Sequence, residues 1–416
     1  MKAPSKLETL EFYLLLGGVF FTPLFKAPKN IFIVLFILLW LYNHIKSIKL
    51  RSSTLFFDSS VAALALCGYA SAFFTELHGK EWDGPTNLVI ICLVILIISK
   101  SKYSLAQLQK IFYVVIISTT IAIIEGFIQQ HYIRACAPKC LFEFHSVGHV
   151  NHTAIYILLT FGFCISYIFA FWKQLTISKK LPLLSFAALS AITCILTDSR
   201  AAAGGVFLVS IFVSAGYIRK NLKLTSVLIF GICLAIASTI IIEPSVVTKQ
   251  LDKMHANKTI HVRKKVWNTG LAAWEKYPLF GVGMKNYSLI TQDKVKQWKE
   301  EKNKEYNPEN HLSMVHGHSL YVNTLAGKGI VGLAALLIFL SAIAFYLIKH
   351  LPKKNSSPNE CFYWGTAGSA WFITVAIGFV NTTFHHEHGL LAVIMMAYII
   401  HLTRSPQLQN KNNVYT

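Results

Sequence analysis

Three short stretches of the chain carry residue types that could do chemistry together. The first is His316-Gly317-His318-Ser319, followed by Gly329-Ile330-Val331-Gly332. An imidazole held at a water–membrane boundary can take a proton from a sugar hydroxyl at neutral pH. The glycines, about three helical turns further on, would let another helix approach closely and hold the imidazole rigidly. The plain alternative is an interfacial histidine bonded to a loop carbonyl. The second stretch, Thr197-Asp198-Ser199-Arg200, is a short turn between two apolar segments. A guanidinium pressed against a membrane face needs an anion: Asp198, a lipid headgroup, or a phosphate gripped by two parallel hydrogen bonds. The third runs from Val262-Arg263-Lys264-Lys265-Val266-Trp267 to Tyr277-Pro278-Leu279-Phe280-Gly281-Val282-Gly283. Trp267, Leu271 and Trp274 share one helix face, which suits an interfacial helix whose basic first turn reaches for phosphate. A loop helix packed on the bundle, with solvated lysines, is the competing reading. Pro278 should stop this helix, and Gly281 and Gly283 should permit a close backbone turn.

Other clusters point less clearly. His145, His149 and His152 fall at i, i+4 and i+7, and His385, His386 and His388 open an apolar segment. Either set suggests zinc, but catalytic zinc wants supporting carboxylates and only Glu143 and Glu387 lie near. No metal site is expected. No pair of carboxylates flanks a pocket as a glycoside hydrolase would need. No Asp-x-Asp motif for metal-bound nucleotide sugars is present. Lys294 to Glu309 reads as a solvated helix and turn.

The elements that must position these groups are membrane spans. Twelve segments are apolar enough to cross: 9–25, 30–47, 54–76, 86–99, 106–130, 151–172, 181–197, 201–218, 224–243, 319–348, 361–381 and 385–403. The first has no small-residue cleavage site after it and reads as a retained helix. Alternate loops hold Lys2, Lys6, Lys46, Lys49, Arg51, Lys100, Lys102, Lys110, Lys173, Lys179, Lys180, Arg219, Lys220, Lys223, Lys349, Lys353, Lys354, Arg404 and Lys411. The opposite short loops hold only Lys26, Lys29, Lys80, Arg134, Lys139 and Arg200. The positive-inside rule therefore places both termini in the cytoplasm. Residues 244–318 form a long periplasmic loop between helices nine and ten. The expected architecture is an all-α polytopic membrane protein of about twelve helices, one integral domain over residues 1–416 with that loop inserted.

Composition agrees. Of 416 residues, 54% are hydrophobic and 14% charged, with a formal charge of +20. A water-soluble enzyme and a disordered chain are excluded. The charge does not call for nucleic acid, because the cytoplasmic loops and the outer rim, from Lys249 to Lys328, account for it. Of the 16 histidines, only His44, His350 and His401 lie away from the outer side. The mid-spans look nearly free of ionisable groups; Asp58 and Glu125, the exceptions, sit near span ends. A solute transporter would place polar groups at mid-span, so chemistry at the outer leaflet is favoured over an exporter or flippase. Cys136 and Cys140 share one outer loop, as a disulfide or as free thiols.

These residues resemble the O-antigen ligases and related O-antigen polymerases of Gram-negative inner membranes. That family shows His-(Asn/Ser/Gln), nine residues, then Gly-x-x-Gly/Thr/Tyr, as in His318-Ser319 with Gly329 and Gly332. It shows Ser/Thr-Arg at an outer turn, as in Ser199-Arg200. An Arg, an aromatic residue and Pro-x-x-Gly lie in its long outer loop, as in Arg263, Trp267 and Pro278–Gly281. The likeness runs from about residue 150 onward, and earlier residues match only in hydropathy.

The resemblance implies a glycosyltransferase of the lipid-carrier type, inverting, metal-independent and without a cofactor. It would move a glycan from undecaprenyl pyrophosphate to a sugar hydroxyl of lipid A–core oligosaccharide at the periplasmic face. His318 would be the base, Arg200 and Arg263 would bind the pyrophosphate, and Lys264 and His316 would add substrate contacts. An O-antigen or capsule polymerase using the same donor is the nearest rival.

Overall fold

The computed structural model describes residues 5–44, 54–134, 142–197, 199–217, 226 and 258–404. Helices α1 Lys6–Phe21, α2 Lys26–His44, α3 Leu55–Phe74 and α4 Asp83–Lys100 are followed by α5 Leu105–Arg134, α6 Val150–Phe171, α7 Ile177–Leu196 and α8 Arg200–Tyr217. After a gap in the described residues come α9 Lys258–Lys276, α10 Gln292–Glu300, α11 Leu320–Lys349, α12 Pro358–Ile377 and α13 His386–Arg404. No strand occurs among the described residues.

Eight of these helices, α2 to α8 and α11, are long and apolar enough to span a bilayer. Helices α1, α12 and α13 coincide with three further expected spans. Helix α1 has only 16 residues, α12 is rich in small and aromatic residues, and α13 carries histidines and charges at its ends. The ninth expected span, the loop as far as residue 257, Asp198, Cys136 and Cys140 lie outside the described residues.

Helices α6 and α13 are apolar all round and buried along nearly their whole lengths, the pattern of central rather than peripheral elements. Helix α12 packs on both. Buried aromatic side chains tie neighbours through their polar tips. Tyr398 Oη donates to Leu108 O at 2.8 Å, and Trp364 Nε1 to Leu347 O at 2.9 Å.

Charges sort to the two ends of the bundle. At one end Arg404, closing α13, reaches both Asp58 oxygens of α3 at 2.6 and 2.7 Å, and Lys100 of α4 lies 3.4 Å from the same carboxylate. At the other end Lys29 of α2 meets Glu387 of α13 at 2.7 Å. The starts of α6 and α11 lie there too, where histidine rings from both are in contact with each other and with the start of α13.

Candidate functional site

The site is built where α9, the turn after it and the start of α11 meet. Helix α9 ends at Lys276, ahead of Pro278. It docks on the bundle by a face other than the Trp267–Leu271–Trp274 stripe, the one expected to face the membrane interface. Val266, Thr269, Ala272 and Ala273 are buried instead, while Leu271 stays 36% exposed. Small residues decide this, because Gly270 lies so close that an added Cβ would stand 2.8 Å from Val322 in the first turn of α11. Tyr287 Oη, donating to Val266 O at 2.8 Å, fixes the same face. Arg263 lies seven residues before Gly270, about 10 Å back along the helix.

The turn after α9 explains the glycines. Helix α11 is broken at Gly329, whose φ of 62° and ψ of −163° are not helical. Such a break frees amides and carbonyls on either side, and at membrane depth they must find partners. The turn supplies them. The N–H groups of Val282 and Gly283 donate to Ala326 O and Gly327 O at 2.9 and 3.0 Å, while those of Ile330 and Val331 donate to Pro278 O and Leu279 O at 2.8 and 3.2 Å. A Cβ on Gly329 would run into Leu279 O, and one on Gly281 into Ala326 O. Gly281 and Gly283 thus provide the close turn expected of them. Gly329 was expected to admit a neighbouring helix; what approaches is this turn, because the broken helix exposes backbone groups that only backbone can satisfy. Ser71 Oγ of α3 adds a bond to Gly327 O at 2.7 Å.

This clasp steadies the turn that carries His318. His318 has φ of +46°, the left-handed region that a non-glycine residue adopts at a cost. Gly317 N–H donates to Asn323 Oδ1 at 3.2 Å. Ser319 caps α11 and donates to Gly378 O at 3.3 Å. The His318 and His316 rings lie 4.3 Å apart, both half-buried. Burial, then His316 and Arg263, pushes the His318 imidazole down to about 4. It is therefore neutral, and able to accept a proton, throughout the physiological range. Burial, then the charge of Arg200, lowers Arg263 from its ordinary value as well. Arg200 acts electrostatically on Arg263, and Arg263 on His318, and Arg263 has no carboxylate partner among the described residues. A guanidinium such as Arg263, with no carboxylate of its own beside it and a second guanidinium nearby, favours an anion. Lys264 is exposed, and no hydrogen bond or ion pair ties it to these groups.

The sequence showed two separate histidine clusters; the structure makes one. His152 of α6 lies 6.0 Å from His316, 5.8 Å from His386 and 4.9 Å from His388, measured between ring centroids. His149 lies 6.5 Å from His316. Among the described residues no group of three or more His, Cys, Asp or Glu side chains is placed to hold a metal ion. Two lysines join the cluster that sequence reasoning did not single out. Lys285, two residues past Gly283, acts electrostatically on His316 and is itself lowered by burial. Lys328, counted in sequence with the outer rim, is 8% exposed inside α11, next to the break. The mid-spans are therefore less clean than they read, and buried Glu11 of α1 is a further exception. The larger open cleft, about 390 Å³ between α9 and the loop at Asn310, is lined by none of the expected residues.

Comparison with known proteins locates the same region. An uncharacterized protein of Haemophilus influenzae is 24% identical over 296 residues, covering 66% of this chain and 68% of that one. Residues 185–337, from within α7 past the break in α11, match the family model of O-antigen ligase. They take in Arg200, Arg263, His318 and both glycines of the break, so the stretch that carries these residues is similar to the O-antigen ligase family.

Proposed function

We propose that the chain is an O-antigen ligase. It would transfer a glycan from undecaprenyl pyrophosphate to a sugar hydroxyl of lipid A–core oligosaccharide at the periplasmic face of a Gram-negative inner membrane. The observation that carries this reading is the joining of Arg200, Arg263 and neutral His318 around one cationic site.

Each group then has a task. The pyrophosphate lies against Arg200 and Arg263, whose guanidinium forks neutralise the charge that grows on it as the anomeric C–O bond breaks. His318 takes the proton of the acceptor hydroxyl, whose oxygen attacks the anomeric carbon from the face opposite the leaving group. The configuration inverts, and the pyrophosphate, already a good leaving group, needs no strong acid. A bound pyrophosphate also raises the basicity of His318, since a nearby anion favours the imidazolium. His316, beside it, contributes to binding the same anion, and Lys264 meets the substrate from the loop surface. The mechanism uses no metal and no cofactor, and its partners are the two lipids and the surrounding bilayer.

The test is the lipopolysaccharide of a strain lacking the protein. Lipid A–core without long chains, with polymerised glycan accumulating on undecaprenyl carrier, is the expected result. Core bearing one repeat unit would identify a polymerase instead, and unchanged lipopolysaccharide would refute both.

A further inference from the structure

Beneath the histidine cluster lies a second polar feature that the transfer mechanism does not use. A cavity of about 70 Å³ opens between the starts of α4 and α13 and the upper part of α11. That is room for a small tetrahedral anion or a few waters, at roughly 30 Å³ of liquid per water. Its polar lining includes Lys285, Asn323, Lys328, Thr382 and His385, with Asn87, Thr324 and His386 around them. Leu88, Ile91, Met284 and Leu336 make the rest of the wall apolar.

Two polar atoms there are buried without a partner, and a lysine lies beside them. Thr382 Oγ1 and His385 Nδ1 have no hydrogen bond. Lys328, 8% exposed, has neither a hydrogen bond nor an ion pair; its electrostatic neighbours are the thiols of Cys67 and Cys92. Buried polar atoms are nearly always satisfied, so two facing one cavity beside a lysine with no ion pair need an explanation. Water could serve the hydroxyl and the imidazole, but it supplies no counter-charge to a lysine that has no ion pair. Lys285, facing the same space, adds a second cation. An anion with several oxygens answers all of these groups at once.

Depth and wall chemistry narrow the ligand. Lys328 is nine residues beyond Ser319, about 13 Å along α11, so an anion that reaches it lies below the level of His318. The apolar wall beside it suits a hydrocarbon substituent rather than a sugar. We propose that this cavity binds the phosphate of a lipid-linked phosphate ester, at a site separate from the Arg200–Arg263 site. The proposal rests on the transferase reading for the supply of such lipids, from carrier or acceptor, but its test reads binding and not transfer.

Purified full-length protein in nanodiscs would be titrated with farnesyl phosphate, glucosamine 1-phosphate and inorganic phosphate, using wild type, Lys328→Met, Thr382→Val and Arg263→Ala. Farnesyl phosphate should bind wild type. Lys328→Met should weaken it by about tenfold or more, the scale of a charged hydrogen bond. Thr382→Val, which keeps the side-chain shape, should weaken it by a few-fold. Arg263→Ala should leave it within about twofold, and Lys328→Met should not melt earlier, since it removes an uncompensated charge. Tighter Lys328-dependent binding of glucosamine 1-phosphate would support the site and assign its phosphate to the acceptor. Equal binding of inorganic phosphate and farnesyl phosphate would overturn the lipid assignment. Equal farnesyl phosphate binding by wild type, Lys328→Met and Thr382→Val, or an equal loss in Arg263→Ala, would overturn the separate site. The ligase reading stands or falls separately, on the lipopolysaccharide of the deletion strain.

Discussion

The two ends of the helical bundle treat charge in opposite ways. At one end Asp58 is held by Arg404 and approached by Lys100, and Arg404 also donates to Thr54 at 2.6 Å. The buried carboxylate there is fully countered, and the network ties α3, α4 and α13 together. At the other end Lys29 pairs with Glu387, but among the described residues Arg263 and Lys328 have no ion pair, while Asp83 acts electrostatically on Lys285 and Glu387 on His388. Burying charge is costly, and a fold that needs only stability pairs its ions or omits them. The Asp58 network reads as structure, and the more cationic end as the proposed place for a ligand that brings the negative charge.

Mutations can break that contrast, and the largest effect belongs to His318. His318→Ala should lower the transfer rate by about 10²–10⁴-fold, the usual contribution of a general base, while the protein still inserts and binds donor. Substantial residual activity in a purified assay would remove His318 from that role. Asp58→Asn at the opposite end should cost about 3–5 kcal/mol of stability by leaving Arg404 buried without its anion. Thermal unfolding should show the loss, and turnover by the folded fraction should be nearly unchanged. If it instead abolished turnover without lowering stability, the division between the two ends would be wrong.

Gly329→Ala probes what holds the site in place. Backbone strain alone should cost about 1–3 kcal/mol, and the clash with Leu279 O should undo the clasp. Limited proteolysis near Pro278 would detect its release; unchanged cleavage and activity would show that the clasp does not matter. Arg263→Lys should raise the donor KM more than it lowers kcat, because lysine lacks the planar fork.

The smallest effect is a displaced pH limb. Burial and neighbouring cations lower His318, so its base form persists on acidification. The acid limb of kcat/KM should therefore fall near pH 4, with the rate held between pH 7 and 5. A limb at the ordinary histidine value of about 6.5 would mean that the imidazole is solvated in the working enzyme.

Much of this was legible in the sequence, for identifiable reasons. Helix positions follow from runs of apolar residues, and α3, α6 and α11 lie within a residue or two of the expected spans. Arg200, Arg263 and His318 stood out because each sits in a short motif whose residue types suit phosphate or proton transfer; their roles belong to the proposal. The break at Gly329 was not, because hydropathy does not register a change of φ; only the requirement for glycine hinted at it. Lys328 read as a rim residue because it follows a basic loop, and only the fold carries it down to a cavity beside the break. The histidines read as two clusters because His152 and His388 are 236 positions apart and meet only when α6 packs on α13.

The central claim, that the more cationic end binds a pyrophosphate donor and uses His318 on an acceptor hydroxyl, meets its most direct test in a reconstituted reaction. Purified protein would be mixed with an undecaprenyl-pyrophosphate-linked glycan and lipid A–core in the presence of EDTA, and the product's new linkage read by NMR. We expect glycan joined to core with inverted anomeric configuration, undiminished by the chelator. Retained configuration, dependence on a metal, or glycan added only to a second carrier-linked chain would contradict the account.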